Sequence, residues 1–300
     1  MRLLISLLLS LLFYACTSER TPEPRHGFSA QDDLGRVVSL PHVPSRIVSL
    51  SPHVTEILFA LGLDSAIVGV TDYCDYPPAA LSVPRVGGLT SPNFERLVEL
   101  HPDVIIMTVS GNSRQDFESL ERLNFRVFVT NPRGFKDVFE SIRRIGLLTG
   151  RAKQGDSLAT ALRQRADSLI ASVESKAKIP TLFLLSVQPI ISVGYGTYLH
   201  ELIVLAGGIN VAEGSSIGYP LLSKEEILKK RPQVIVVSSD VAIAPAEIAR
   251  AWGNFSTIPA IADHRIRIID ADLVSRPGPR IVDGLAALIR AIHETTEHRP

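Results

Sequence analysis

From Ser45 onward the chain alternates short apolar runs with segments of helical period, the pattern of parallel βαβ units, and one stretch in its middle interrupts that alternation. Ile47-Val48-Ser49-Leu50 reads as a strand. Ser51-Pro52 then supplies an N-cap and a proline at the first helical position, Val54, Ile57, Leu58 and Leu61 keep helical spacing, and Gly62 ends the helix. Phe94, Leu97 and Val98 make a helical face leading through Pro102 into Val104-Ile105-Ile106-Met107; Phe117, Leu120 and Leu123 lead into Val127-Phe128-Val129. Between Phe135 and Lys178 there is no proline and no strand-like run, while Phe135, Val138, Phe139, Ile142 and Ile145, and later Leu158, Ala161, Leu162, Leu169 and Val173, hold helical spacing. A continuous helix there would be roughly 60 Å long, with Gly146, Gly150 and Gly155 placed to break or bend it. Alternation resumes with Thr181-Leu182-Phe183-Leu184-Leu185, Val234-Ile235-Val236-Val237 and Ile266-Arg267-Ile268-Ile269, and a last amphipathic helix carries Ile281, Leu285, Leu288, Ile289 and Ile292. The expected fold is α/β: two βαβ (Rossmann-like) lobes, 26–134 and 179–300, bridged by a single long α-helix over 135–178.

The two halves repeat. Phe94-Glu95-Arg96-Leu97-Val98-Glu99-Leu100-His101-Pro102-Asp103-Val104-Ile105-Ile106 lies without a gap on Lys224-Glu225-Glu226-Ile227-Leu228-Lys229-Lys230-Arg231-Pro232-Gln233-Val234-Ile235-Val236, each a helix, a proline turn and a buried strand. The alignment pairs Glu95 with Glu225. Two like lobes joined by one helix enclose a cleft, and such interfaces are where ligands bind.

Lys+Arg 31 against Asp+Glu 31 gives a formal charge of zero, which removes the electrostatic footprint of a nucleic-acid binder. After the N-terminus no run approaches the ~20 apolar residues of a membrane span. The N-terminus itself reads as a secretory signal: Met1-Arg2, an apolar core from Leu3 to Phe13, then Tyr14-Ala15-Cys16. With the cut before Cys16 it resembles a bacterial lipoprotein signal over 1–15, with Cys16 lipidated and 16–25 a tether that lets the folded body stand off a membrane. Cys16 and Cys74 are the only cysteines, so no disulfide framework or four-cysteine zinc site is available.

Gly214-Ser215-Ser216-Ile217-Gly218 matches G-x-S-x-G, but no strand runs into it and Tyr219-Pro220 follows, so it reads as a loop rather than a nucleophile elbow. No phosphate-binding loop or dinucleotide fingerprint occurs, and the chain is not itself expected to be an ATPase. Histidines 26, 42, 53, 101, 200, 264, 293 and 298 show no paired metal-ligand spacing. His53, at a helix start after a strand, reads as solvated, with a role facing the cleft as its alternative; Cys74 reads as packed. Tyr73 and Tyr76, and Tyr195, Tyr198 and Tyr219, are placed in loops, where a flat face and a hydroxyl serve binding. Arg276-Pro277-Gly278-Pro279-Arg280, after Asp270-Ala271-Asp272, puts cations at a helix start, either as turn chemistry or for a ligand bearing carboxylates, phosphate or amides.

Arg46-Ile47-Val48-Ser49-Leu50-Ser51-Pro52-His53-Val54-Thr55-Glu56-Ile57-Leu58-Phe59-Ala60-Leu61-Gly62 and Val68-Gly69-Val70-Thr71-Asp72-Tyr73-Cys74-Asp75-Tyr76-Pro77-Pro78 resemble the extracytoplasmic substrate-binding proteins of ABC importers for vitamin B12, haem and iron-siderophores. The likeness extends from about residue 30 to residue 292 and is strongest to the vitamin B12 branch. It implies a periplasmic-binding-protein-like fold of the helical-backbone type, little hinge motion, and no catalysis. It also implies that Glu95 and Glu225 dock on arginines of a two-fold permease dimer with its ATPase subunits, and that Tyr73, Tyr219, Asp272 and Arg276 line a corrinoid cleft, with Arg280 near them. Where that branch carries tryptophans this sequence has Leu89 and Thr108, and Tyr219 stands in place of a third; Trp252 reads as structural.

The expected function is therefore capture of cobalamin or a related corrinoid by a lipid-anchored, monomeric protein of the periplasm or cell surface, with no resident cofactor or metal. The near rival swaps the ligand for a ferric siderophore or haem. More distant rivals are a zinc or manganese receptor and an α/β hydrolase using Ser216.

Overall fold

Two separate sheets, one parallel and one mainly parallel, form where the sequence alternates. The computed structural model describes residues 28–215, 217–241, 243–252 and 257–294; the expected signal and tether with Cys16, and Ser216, lie outside the described residues. The first half comprises β1 (Phe28–Gln31), β2 (Val37–Leu40), β3 (Ile47–Ser49), α1 (Pro52–Ala60), β4 (Ile67–Val70), α2 (Phe94–Leu100), β5 (Val104–Thr108), α3 (Arg114–Arg122), β6 (Val127–Thr130) and α4 (Phe135–Leu148). After α5 (Ala152–Glu174) come β7 (Ile179–Val187), β8 (Ile190–Ser192), α6 (Tyr198–Leu205), β9 (Gly208–Asn210), α7 (Lys224–Lys230), β10 (Val234–Ser238), α8 (Pro245–Ala251), α9 (Pro259–Ala262), β11 (Ile266–Ile269), α10 (Ala271–Ser275) and α11 (Ile281–His293).

The first sheet has the order β4-β3-β5-β6 with every pairing parallel. β3, β5 and β6 are buried at every residue, as the unbroken apolar runs of a parallel sheet covered on both faces require. The second sheet runs β11-β10-β7-β8, with β9 also beside β7; β8 is antiparallel to β7, and the other described pairings are parallel. The β1–β2 hairpin, which the sequence pattern does not announce, forms its own small sheet and packs on α4.

The middle stretch is helical, but not one helix over 135–178. It is two, α4 and α5, packed against each other. Gly150 takes a left-handed φ of +72° at the junction, and a Cβ on Gly146 would stand 3.1 Å from the Gly155 Cα, so those glycines let the two backbones touch. The long bridging helix is α5, with 23 residues and so about 34 Å of length. It reaches the second half through contacts with α11, including an Arg165–Asp283 ion pair of 2.6 Å. One apolar cluster spans both halves, from Ile57 and Phe128 through Ile142 and Ala166 to Phe183 and Leu285. Trp252 is buried in a satellite cluster with Leu182 and Ile235, the structural role expected of it.

The repeat is real at the backbone level. α2 and α7 are each capped by a side chain, Asn93 or Ser223, and each ends on a left-handed residue, His101 (φ 42°) or Arg231 (φ 47°), before the proline and the buried strand. The buried face of α2 is Leu97 and Leu100; Val98, expected on it, is exposed.

Candidate functional site

A cavity of about 430 Å³ opens where the carboxyl ends of strands from both sheets converge, the place where open α/β sheets bind ligands. From the first half His53 follows β3, Tyr73 follows β4, and Leu89 and Thr108 complete that wall. From the second, Asp240 follows β10, and Asp272 and Arg276 lie on and just after α10. Tyr73 is 58% exposed, so its ring is free to meet a ligand.

Beside this cavity the halves are tied by charge. Arg276 Nη1 reaches Asp75 Oδ1 at 2.6 Å, its Nη2 reaches Asp272 Oδ1 at 2.7 Å, and Glu56 Oε1 lies 3.6 Å from Nη1. Arg280 grips Glu56 with two bonds, Nε to Oε2 at 3.0 Å and Nη2 to Oε1 at 2.7 Å, while its guanidinium lies 3.9 Å from the Tyr76 ring centroid. Glu56 and Asp75 belong to the first half and both arginines to the second. Burial pushes the Glu56 carboxyl up even though Arg280 and Arg276 pull it down, whereas the Arg276 hydrogen bond draws the Asp75 carboxyl below its usual range. Burial also raises Asp272, against the pull of Arg276. The turn between the arginines fits closely: a Cβ on Gly278 would meet the His53 Cβ at 3.2 Å and the His53 carbonyl oxygen at 3.3 Å.

His53 is buried, with 3% exposure, and not solvated as its position suggests. Its bonding fixes the tautomer. The Thr130 hydroxyl spends its hydrogen on the Met107 carbonyl (3.1 Å), so Thr130 Oγ1 accepts a weak 3.4 Å bond from Nε2–H, and Nδ1 accepts from the Ser51 hydroxyl at 2.8 Å. Ser51 occupies the N-cap position of α1 without capping it; its hydroxyl is turned to the imidazole instead. Burial lowers the His53 pKa to about 4, and the imidazole is neutral at physiological pH. Cys74 is buried as expected, its sulfur 3.1 Å from both the Thr55 and Thr71 hydroxyls. Among the described residues no group of three or more His, Cys, Asp or Glu converges as metal ligands do.

The remaining sequence candidates are dispersed. Tyr219 is not in the lining; it is half-exposed on the segment whose Gly218 and Pro220 carbonyls accept from Gly194 and Ser192. Tyr198, expected in a loop, is the first residue of α6. Arg280 stands behind Arg276 as the N-cap residue of α11. Glu95 and Glu225 sit in the first turns of α2 and α7, exposed and without a side-chain partner among the described residues. Leu89 and Thr108, singled out as lost tryptophan positions, both line the cavity. Sequence reasoning missed Glu56 and Asp240. Glu56 had a signal, being the lone acid in the apolar α1, one turn after His53; Asp240 had none beyond following a buried strand.

Comparison with known proteins adds four findings. The sequence profile of the periplasmic binding protein family matches residues 47–273. The vitamin B12-binding protein of Vibrio cholerae serotype O1 is 33% identical over 249 residues, 83% of this chain and 89% of the relative. The crystal structure of the periplasmic vitamin B12 binding protein BtuF of Vibrio cholerae superposes with a TM-score of 0.76 at 32% identity, covering 83% of this chain and 97% of that one. A periplasmic solute-binding protein of Staphylococcus epidermidis, described as a possible iron-binding protein, gives a TM-score of 0.76 at 28% identity, with 84% and 100% coverage.

Proposed function

The chain belongs to the periplasmic binding protein family, whose members are non-enzymatic solute carriers, and from that premise we propose that it captures cobalamin or a related corrinoid between its halves and delivers it to an ABC import permease. Family membership overturns the hydrolase alternative through Ser216. The observation that carries the ligand reading is the placement of an exposed tyrosine, Tyr73, opposite Asp272 and Arg276 at the converging strand ends, in a chain 33% identical to a vitamin B12-binding protein. In this reading Tyr73 supplies a flat apolar face, and Asp272 and Arg276 supply polar contacts to the side chains of the macrocycle rim. Tyr219 reaches the ligand from the rim of the cleft, and Arg280 acts by holding Glu56 and thereby the Arg276 cluster.

Delivery uses Glu95 and Glu225, one on each half, as the contacts to arginines of a two-fold permease dimer; their exposure and their equivalent places in the repeat support that assignment. The protein works as a monomer tethered through a lipidated Cys16 and residues 16–25 at the periplasm or cell surface, and the partner ATPase supplies the energy.

Native mass spectrometry with visible absorption tests the ligand, using the chain that begins after Cys16 and offering cyanocobalamin, cobinamide, haemin and ferric siderophores. A one-to-one cobalt corrinoid complex is expected. Retention of haemin or a ferric siderophore in its place keeps the importer and replaces the ligand with the second reading, which the likeness to the Staphylococcus epidermidis protein favours.

A further inference from the structure

The charges around the cleft do not balance. Arg276 and Arg280 are already matched inside the protein, Arg276 by Asp75 and Asp272 and Arg280 by the two-bond grip on Glu56, and their side chains are only 13% and 15% exposed. Three carboxylates thus face two guanidiniums before any ligand arrives. Asp240 adds a fourth. It lines the cleft from the single helical turn after β10, it is exposed, and it makes no hydrogen bond or ion pair with any described residue. Among the described residues no other cation enters the lining: Arg85 binds the Tyr73 loop through the Thr71 and Cys74 carbonyls, outside it. The remaining wall consists of hydroxyls, the Tyr73 ring, Leu89 and a ring-bonded His53.

Resting on the reading that this cleft holds the ligand, we propose that it selects its ligand by charge and that Asp240 is a specificity-determining residue. The class it takes is a neutral or cationic macrocycle whose rim carries amide N–H donors. A buried-edge arginine that is already paired has little left to offer a carboxylate, whereas an unpaired aspartate and the outward lone pairs of Asp272 accept N–H groups without penalty. Ligands rimmed by carboxylates, as haem is, or by iron-bound catecholates bring further negative charge against an uncompensated one. Amide donors on the rim reach the aspartates while one face of the macrocycle rests on Tyr73.

Two corrinoids that share a macrocycle and differ at the rim provide the test: cobinamide, with neutral amides, and cobyrinic acid, with carboxylates. Visible-absorption titrations compare them at low and high salt, in the wild type and in Asp240→Asn. The wild type is expected to prefer cobinamide, more so at low salt, and Asp240→Asn, whose amide oxygen still accepts an N–H but carries no charge, is expected to shrink that preference by roughly threefold for each rim carboxylate near it. Equal binding of both, or a preference indifferent to Asp240→Asn, overturns the charge selection and leaves the corrinoid reading standing. Binding of haemin with neither corrinoid overturns both.

Discussion

The α2–β5 unit of the first half and the α7–β10 unit of the second match in helix length, capped start, left-handed end, proline turn and buried strand, yet the walls that the two halves present to the cleft have little in common. The first half brings uncharged groups, among them Tyr73, Leu89, Thr108 and a neutral His53, whereas the second brings Asp240, Asp272 and Arg276. The lesson is that a repeated framework fixes where the strand ends converge, and the loops beyond those ends are free to diverge into complementary chemistry. The charged ties between Glu56, Asp75 and the two arginines then hold the unlike walls in register.

The strongest way to break the comparison is at the proposed docking glutamates, where the halves are alike. Reversing both Glu95 and Glu225 to arginine is expected to abolish uptake in a reconstituted transporter with ligand affinity unchanged, and the two single reversals are expected to cost equal amounts of transport. A large asymmetry between the singles would show that the repeat does not carry over to the permease.

Next in size is the tie itself. Glu56→Ala leaves Arg280 without its two-bond partner at a nearly buried position and should destabilise the fold by about 4 kcal/mol, read as a shift in the urea unfolding midpoint. Loss below about 1 kcal/mol would mean that the halves are held by the shared apolar core alone.

The neutral wall has a pH signature. With a folded pKa of about 4 against an ordinary 6.5, His53 resists the protonation that the unfolded chain accepts. The stability it confers is present above pH 6.5 and lost as the pH falls from 6.5 to 4, about 3 kcal/mol in all. Glu56, whose carboxyl is raised, contributes in the opposite sense, its stability being lost as the pH rises through its folded pKa. The informative quantity is therefore the difference between wild type and His53→Gln across that pH interval in urea unfolding; parallel curves would contradict a neutral, buried imidazole.

Smaller effects sharpen the contrast in ligand contact. Tyr73→Ala should weaken corrinoid binding by about 2 kcal/mol if stacking on the flat face is worth what base stacking is, and Leu89→Trp, restoring an aromatic to the same wall, should strengthen it by about 1 kcal/mol. Equilibrium titration by visible absorption measures both, and opposite signs at the two positions are the expected result.

Much of the framework was legible because period and punctuation are local. Ser51-Pro52 and Gly62 bounded α1, and the apolar runs at 47, 104, 127, 181, 234 and 266 all became strands of the two sheets. The break at Gly150 was visible only as an option, since a left-handed glycine and the Gly146–Gly155 contact depend on one helix packing on another. Short strands such as β8 and β9, three residues each, carry too little pattern to be seen. In the cleft, Tyr73, Asp272 and Arg276 were named from their loops and the resemblance, but the pairing of Arg276 with Asp75, and the burial of His53 and Glu56, are long-range facts that no local spacing encodes.

The most direct test of the central claim is to locate the cobalt. Crystals grown with cyanocobalamin, with the metal placed by its anomalous scattering, should show one cobalt per chain between Tyr73 and the Asp240–Asp272 wall at the carboxyl ends of both sheets. Cobalt at another place, for instance in the apolar pocket formed by Leu34, Met107 and Phe117, would contradict it.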